Sequence, residues 1–211
     1  MTPFIRNDQY NFIKYQTQIL VNGHSSSNDR AVLQALKSLA VEKVLYMFLE
    51  ESEEQKQLLN PISEIKDKEQ AEAFLNTIKP FVMPFEVSEQ QIKKLFPKVK
   101  KLKVPVLEGM NLREISYLGW DDKGSQKKYI VTYHEGKLTG LQGTCKPLNK
   151  KGICVLCNKI EEVGLFMTEK KGTVQGTFTK RGNYICLDSQ KCNHNLITLD
   201  KLDEFLVLSK Q

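Results

Sequence analysis

Apolar residues in the first 81 positions recur every three or four residues, which is the spacing of one face of an α-helix. This spacing predicts a first helix over 8–20, a break at 23–27 and a long second helix after the break. Pro61 and Pro80 are expected to end later helical segments, because proline cannot donate a backbone hydrogen bond inside a helix. Short connections between helices favour antiparallel packing. Residues 1–81 are therefore predicted to form an N-terminal helical bundle.

The same pattern makes two local predictions about these helices. Asn7 is predicted to cap the first helix, because its side-chain oxygen can accept a backbone N–H at the helix start. The second helix is predicted to bury one side. That side would carry the apolar residues Val32, Leu33, Leu36, Leu39, Val44, Leu45 and Phe48.

From about residue 112 the pattern changes to the alternation that is typical of β-strands. Three strands joined by turn residues form a predicted meander, and two short strands and a final helix follow it. The predicted strands lie at 115–120, 128–133, 138–143, 163–167 and 184–185. We expect residues 82–211 to form a mixed α/β domain with antiparallel strands, which makes the whole chain an α+β protein of two domains.

Four of the five cysteines stand in two pairs, Cys154 with Cys157 and Cys186 with Cys192. Thiolates at the C-x2-C spacing can bind one ion if the chain turns tightly between them, and Asn158 suits such a turn. The wider C-x5-C spacing fits a strand that ends at Cys186 and a helix whose first turns carry Cys192. A knuckle, a hairpin and a helix in this order form a treble-clef arrangement. Four cysteines with no vacant position predict one structural Zn²⁺.

The residues alone leave alternatives to this site open. The four cysteines could be free thiols without a metal, or His194 could replace Cys192, although it lies two residues along the same predicted helix. Asp188 or Ser189 is expected to cap that helix. Cys145 has no His or Asp nearby in sequence, so we interpret it as a packed thiol rather than a nucleophile. No phosphate loop or catalytic triad pattern is present in the sequence, and we expect a protein that is not an enzyme.

The charge of the chain is unevenly spread. Residues 1–87 hold 9 Lys or Arg and 12 Asp or Glu, and residues 88–211 hold 22 and 13, so the net charges are −3 and +9. A basic half suggests an acidic partner such as nucleic acid, a ribosome or an acidic protein. The run Lys98–Lys103 is interpreted either as a solvated, lysine-rich strand edge or as a contact to ribosomal RNA or an acidic protein face. The sequence has no membrane-length apolar run and no recognisable secretion signal, so we expect a cytoplasmic protein without a membrane partner.

Several segments around the cysteines resemble the FusB-type proteins, which are bacterial elongation factor G-binding proteins that include the fusidic acid resistance determinants. The similar segments are Lys98–Lys103, Ile115–Trp120, Lys127–Val131, Lys151–Lys159, Gly164–Met167, Lys180–Ser189 and Lys191–Asn193. The resemblance covers residues 5 to 208. From about residue 84 onward the sequence motifs are similar, whereas over the helical part the similarity lies more in the pattern of residues than in motifs.

The resemblance implies a fold and a function. It implies an N-terminal helical bundle and a C-terminal domain with a four-cysteine treble-clef zinc finger that binds elongation factor G. Fusidic acid locks this factor with GDP on the ribosome, and proteins of this type promote its release, so that translation resumes without any modification of the drug. The resemblance therefore implies antibiotic resistance by target protection, with a transient ribosome contact and no enzymatic activity.

Three contact residues of the family can be placed in this sequence. The aromatic contact before the first zinc cysteine corresponds to Ile153, which keeps an apolar side chain but lacks the ring. The basic contact three residues before the motif tyrosine corresponds to Arg181, and the tyrosine itself is Tyr184. The alternatives are that Arg181 is a solvated turn charge and that Tyr184 packs on its own hairpin.

Two other functions compete with this interpretation. The basic half favours an RNA- or ribosome-binding zinc protein without specificity for the elongation factor, although no recognised single-strand or double-strand reader is evident in the sequence. An enzyme that uses Cys145 is the third possibility. We expect a monomer that does not bind DNA.

Overall fold

The structure is a computed structural model that describes residues 1–172, 174 and 177–210. The chain divides into two units, Met1–Met83 and Pro84–Gln211. None of the described helices is long and apolar enough to cross a membrane.

The first unit is helical, as the sequence predicts. Its α-helices are α1 (Asn7–Ser26), α2 (Arg30–Tyr46), α3 (Glu53–Leu59) and α4 (Lys68–Ile78), with short 3-10 helices at Asn60–Glu64 and Lys79–Phe81. The two prolines begin the 3-10 segments, because each stands in the first turn, where no backbone N–H is needed. The core is a cluster of aliphatic and aromatic side chains that includes Ile5, Ile13, Leu20, Val44, Leu59, Ile62 and Ile78.

Two predictions about α1 are wrong. Asn7 is the first helical residue rather than the cap, and the capping bond runs from the backbone N–H of Arg6 to Oε1 of Gln9 at 2.9 Å. The helix also continues through the predicted break to Ser26. A Cβ on Gly23 would lie 2.5 Å from Cδ1 of Leu36, so the glycine allows α1 and α2 to approach closely. Packing between the helices therefore overrides the low helix propensity of glycine.

The apolar arc of α2 is wider than the side that it buries. Ala40 and Val44 are buried, whereas Val32 and Leu39 are exposed by 46% and 48%. Residues seven positions apart share a helix side, so the exposed pair lies on a line of its own. The prediction that all apolar residues of α2 share one buried side is therefore wrong for these two.

The second unit contains a sheet with helices on both sides. Its elements are α5 (Glu89–Leu95), β1 (Tyr117–Asp122), β2 (Lys127–His134), β3 (Lys137–Ile153), β4 (Ile160–Lys171), β5 (Phe178–Cys186), α6 (Ser189–Asn195) and α7 (Asp200–Lys210), with a 3-10 turn at Leu112–Glu114. The strands form one antiparallel sheet in the order β1-β2-β3-β4-β5. This confirms the α+β fold class with antiparallel strands.

Two apolar clusters cover the sheet. Phe166 and Ile185 belong to the cluster that includes Leu202, Phe205 and Leu206 of α7. Residues on the opposite face of β1 and β2 pack with α5 and the segment 97–112 in the second cluster. In this cluster the ring of Trp120 stacks on that of Tyr129, with the ring centroids 5.0 Å apart. The strands β3 to β5 extend beyond both clusters. Their ends are polar and lack a clear apolar alternation, which is why the predicted strands are shorter than the observed ones.

The basic run Lys98–Lys103 does not form a strand. It makes turns in which Val99 and Leu102 pack on the second cluster and the four lysines are exposed. The interpretation of this run as a strand edge is therefore wrong. This irregular segment lies along the core, so its apolar side chains face the core and its lysines face solvent.

Candidate metal centre and the adjoining strand edge

The two cysteine pairs come together at one end of the sheet. Cys154 follows β3, Cys157 lies in the next turn, Cys186 ends β5 and Cys192 lies within α6. All four are buried. Their sulfur atoms lie within 4.8 Å of one another, so chain segments far apart in sequence converge on one point.

The first pair is held by a tight turn between β3 and β4, residues 154–159, which is called the knuckle below. The N–H of Cys154 donates to the carbonyl of Lys159 at 3.0 Å, and the N–H of Asn158 donates to the carbonyl of Cys154 at 2.9 Å. Asn158 has a φ of +54°, a left-handed conformation that asparagine tolerates. The prediction made for Asn158 from its side chain is thus confirmed.

The second pair owes its wide spacing to a helix start. Asp188 caps α6, since its Oδ1 accepts the N–H groups of Gln190 at 2.8 Å and Lys191 at 3.1 Å. One turn further, the N–H of Cys192 donates to the Asp188 carbonyl. The five residues between the two cysteines are therefore Leu187, the cap Asp188 and the first three residues of α6.

The distances between the sulfurs fit a tetrahedral zinc site. The Sγ atoms of Cys154 and Cys192 are 3.8 Å apart, and those of Cys157 and Cys186 are 3.7 Å apart. Zn–S bonds of about 2.3 Å at a tetrahedral angle place two sulfurs about 3.8 Å apart. A disulfide would need about 2.05 Å, and all four cysteines are free thiols.

The electrostatics of the cluster also favour a cation. Hydrogen bonding with the neighbouring thiols, that of Cys157 first, lowers the pKa of Cys154. The pKa of Cys192 is raised, chiefly by its hydrogen bond with Cys154. Four thiolates at this spacing would repel one another strongly in a buried site, and a divalent cation removes that repulsion.

Asn193 joins the metal centre to β1. Its side-chain oxygen accepts the N–H groups of Ser116 at 2.7 Å and Tyr117 at 3.1 Å. Its side-chain nitrogen donates to the carbonyls of Tyr117 and Ser189, each at 2.9 Å. Burial raises the pKa of Tyr117 well above its ordinary value. This role of Asn193 has no signal in the sequence, because its partners Ser116 and Tyr117 are more than 70 positions away.

The remaining candidates for site chemistry lie elsewhere. His194 is exposed, and its Nε2 is 3.5 Å from Oε2 of Glu114, outside the four-sulfur cluster. Cys145 is partly buried, and burial raises its pKa. A nucleophilic cysteine needs the opposite shift, since the thiolate is the reactive form.

Two of the three predicted contact residues lie beside the metal centre, and Arg181 lies further along β5, five residues before Cys186. Ile153 is 63% exposed and lies directly before the first cysteine, and Tyr184 is 45% exposed on β5. Arg181 lies opposite Thr168 and Tyr184 opposite Leu165 in the ladder of β4 and β5. Because side chains alternate along a strand, Arg181 and Tyr184 project from opposite faces of β5.

A fourth exposed apolar residue adjoins this region. Ile160 pairs with Ile153 between β3 and β4, and 68% of it is exposed. Sequence reasoning missed Ile160, because only the strand register brings it beside Ile153. Exposed aliphatic side chains in direct cross-strand contact form a small apolar patch next to the knuckle.

A helical unit followed by a sheet with a four-cysteine treble-clef site defines a two-part zinc-finger protein. Two family models match the chain, one described as "Elongation factor G-binding protein, N-terminal" over residues 4–86 and one as "FBP C-terminal treble-clef zinc-finger" over residues 94–204. The chain belongs to this FusB-type family of elongation factor G-binding proteins.

A solved structure supports the same assignment. The fusidic acid resistance protein FusC is 33% identical to the chain, with a TM-score of 0.87 over 98% of this chain and 97% of FusC. No curated protein matches the chain in sequence.

Proposed function

We propose that this protein binds elongation factor G through its C-terminal unit and promotes release of the factor from ribosomes stalled by fusidic acid. The observation that carries the proposal is the similarity to the fusidic acid resistance protein FusC over nearly the whole of both chains. The basic charge of residues 88–211 would suit an acidic partner surface.

The binding face is proposed to contain Ile153, Arg181 and Tyr184. All three are exposed, and each adjoins or lies on an element that carries a cysteine of the metal centre. One Zn²⁺ bound by Cys154, Cys157, Cys186 and Cys192 would hold these elements rigid, which lowers the entropy lost on binding. Tyr and Arg are also common anchors of protein interfaces.

The protein is proposed to act by binding alone, in the cytoplasm and as a monomer. In this mechanism the drug is left intact and the target is protected. The raised pKa of Cys145 supports this proposal, because it disfavours the thiolate that a cysteine enzyme would use.

A binding titration tests the proposal. Purified elongation factor G should bind the wild-type protein with a measurable Kd, and Arg181→Ala or Tyr184→Ala should weaken binding by about tenfold or more while the fold persists. Lys123→Ala, in the turn between β1 and β2, serves as the surface control. Unchanged affinity in both interface variants would refute the placement of the site.

In vitro translation tests the consequence of binding. Addition of the protein should restore peptide synthesis that fusidic acid has blocked, and the drug recovered afterwards should be unmodified. Binding without restored synthesis would remove the release step from the proposal. Chemical modification of the drug would overturn the proposal that the protein acts by binding alone.

The charge of the second unit favours one other function, which is binding of RNA or the ribosome without specificity for the factor. Such binding should weaken steeply as salt is raised, because each phosphate contact releases bound counterions. Salt-dependent RNA binding in the absence of factor binding would favour this second function.

A further inference from the structure

Strand β5 lies at the edge of the sheet, so one side of its backbone has no neighbouring strand. In an antiparallel ladder the N–H and C=O of one residue point to the same side, and successive residues alternate. Every second residue of β5 therefore directs its backbone groups to β4, and the residues between them direct theirs outward.

Three hydrogen bonds identify which residues point outward. The carbonyl of Tyr184 accepts the N–H of Val155 at 2.8 Å, and the N–H of Cys186 donates to Sγ of Cys154 at 3.3 Å. Both partners lie in the knuckle, on the side of β5 away from β4. The N–H of Leu187 instead donates to the carbonyl of Glu162 at 2.9 Å, just before the start of the ladder between β4 and β5. The backbone N–H and C=O groups of the even-numbered residues of β5 therefore point outward, away from β4.

The knuckle covers only one end of this edge. It occupies the outward groups of Tyr184 and Cys186, which lie nearest the metal centre. By the same alternation, the N–H and C=O groups of Lys180 and Gly182 point outward. Within the described part of the chain, no other segment forms a backbone hydrogen bond to these two residues on that side.

The surroundings of the open segment favour an acidic partner. In the paired segments Met167–Lys171 and Phe178–Gly182, four basic residues stand against one acidic residue, Glu169. Glu169 is already engaged by Lys180 at 3.2 Å. Gly182 adds no side chain at the middle of the edge, so a second backbone can approach it closely.

We propose that the β5 edge at Lys180–Gly182 receives an extended, acidic segment of elongation factor G as an added strand. This inference rests on the proposed function, since it specifies how the same partner binds. An added strand also explains how Arg181 and Tyr184 could contact one partner from opposite faces of β5, because a segment docked on the edge reaches both faces. Such pairing uses main-chain hydrogen bonds for affinity and the flanking side chains for specificity.

Hydrogen exchange of the backbone amides tests the inference. In the free protein the amides of Lys180 and Gly182 should exchange quickly, and saturating elongation factor G should slow both by about tenfold or more. The amide of Thr179 is the internal control, because it faces β4 in both states. A complex that forms without slower exchange at Lys180 and Gly182 would overturn the added strand and leave the proposed function intact. Failure to form any complex would overturn both.

A matched pair of variants provides a second test. Lys180→Pro removes the outward N–H, and proline is tolerated at edge positions that face solvent. Lys180→Ala removes the same side chain and its ion pair but keeps the N–H. We expect the proline variant to bind elongation factor G about tenfold more weakly than the alanine variant, at similar melting temperatures. Equal affinities of two folded variants would contradict the inference, and a misfolded proline variant would leave the decision to the exchange measurement.

Discussion

The side-chain ammonium of Lys128 donates a hydrogen bond of 2.8 Å to the backbone carbonyl of Leu187. Lys128 lies on β2 and is only 1% exposed, and Leu187 directly follows the third cysteine of the metal centre. The same ammonium pairs with Asp121 at 3.0 Å. Because a buried ammonium is costly unless it is paired, the hydrogen bond from Lys128 to Leu187 is favoured. This bond holds the backbone at the start of the turn that joins Cys186 to α6.

Replacement of this lysine should loosen the metal centre. Lys128→Met keeps most of the side-chain volume but leaves the Leu187 carbonyl without its donor, which should cost about 2 kcal/mol of unfolding free energy. A chelator should also remove zinc from this variant faster than from the wild type. Denaturant unfolding and a colorimetric chelator assay measure the two effects. Lys127→Met, at the preceding position of β2, should change neither, and equal effects of both variants would argue against a specific role of Lys128.

Removal of the Asn193 side chain should destabilise the second unit. Asn193→Ala removes the side-chain partner of the Ser116 N–H and of the Tyr117 N–H and carbonyl, which should lower the unfolding free energy by about 3 kcal/mol. Thermal unfolding of the zinc-loaded protein measures the loss. His194→Ala, one residue further along α6, should leave both the stability and the zinc content unchanged. Loss of zinc in the His194 variant would instead support His194 as a ligand.

The reactivity of the thiols should report the state of the metal centre. The folded protein should contain one zinc per chain. A thiol reagent should label only Cys145, and the labelling should be slow because burial raises the pKa of Cys145 and keeps its thiolate fraction low. Labelling of Cys145 should accelerate as the pH is raised towards that pKa. Chelation, or acid that protonates the thiolates, should release the zinc and expose all five cysteines. Five reactive thiols in the untreated protein would contradict a bound metal.

An aromatic side chain at position 153 should strengthen partner binding. Ile153 is exposed, so Ile153→Phe should leave the fold unchanged and add ring area to the interface. The expected gain in affinity for elongation factor G is about two- to tenfold. Isothermal titration measures it, with Ile160→Phe on the paired strand for comparison. Weaker binding of Ile153→Phe would show that the partner surface requires the aliphatic shape.

Much of the metal centre could be predicted from the sequence, because its ligand types and spacings are local. The C-x2-C pair, the left-handed turn at Asn158 and a cap at Asp188 follow from the chemistry of neighbouring residues. The same is true of the division into a helical part and a strand-rich part, since periodicity is a local property. The zinc ion itself and the contact residues stay predictions.

Other features could not be predicted, because they depend on residues that are distant in the chain. The sequence shows Gly23 as a break and Val32 as a core residue, but the packing of α1 on α2 makes the first helical and leaves the second exposed. The support of the metal centre by Lys128 and Asn193 arises only when β1, β2 and α6 meet. The strand register likewise decides that Arg181 and Tyr184 lie on opposite faces and that the β5 edge is open at Lys180 and Gly182. Sequence therefore determined the chemistry of the site, whereas tertiary structure decided its supports and its exposed edge, because hydrogen bonding and burial between distant segments have no local signal.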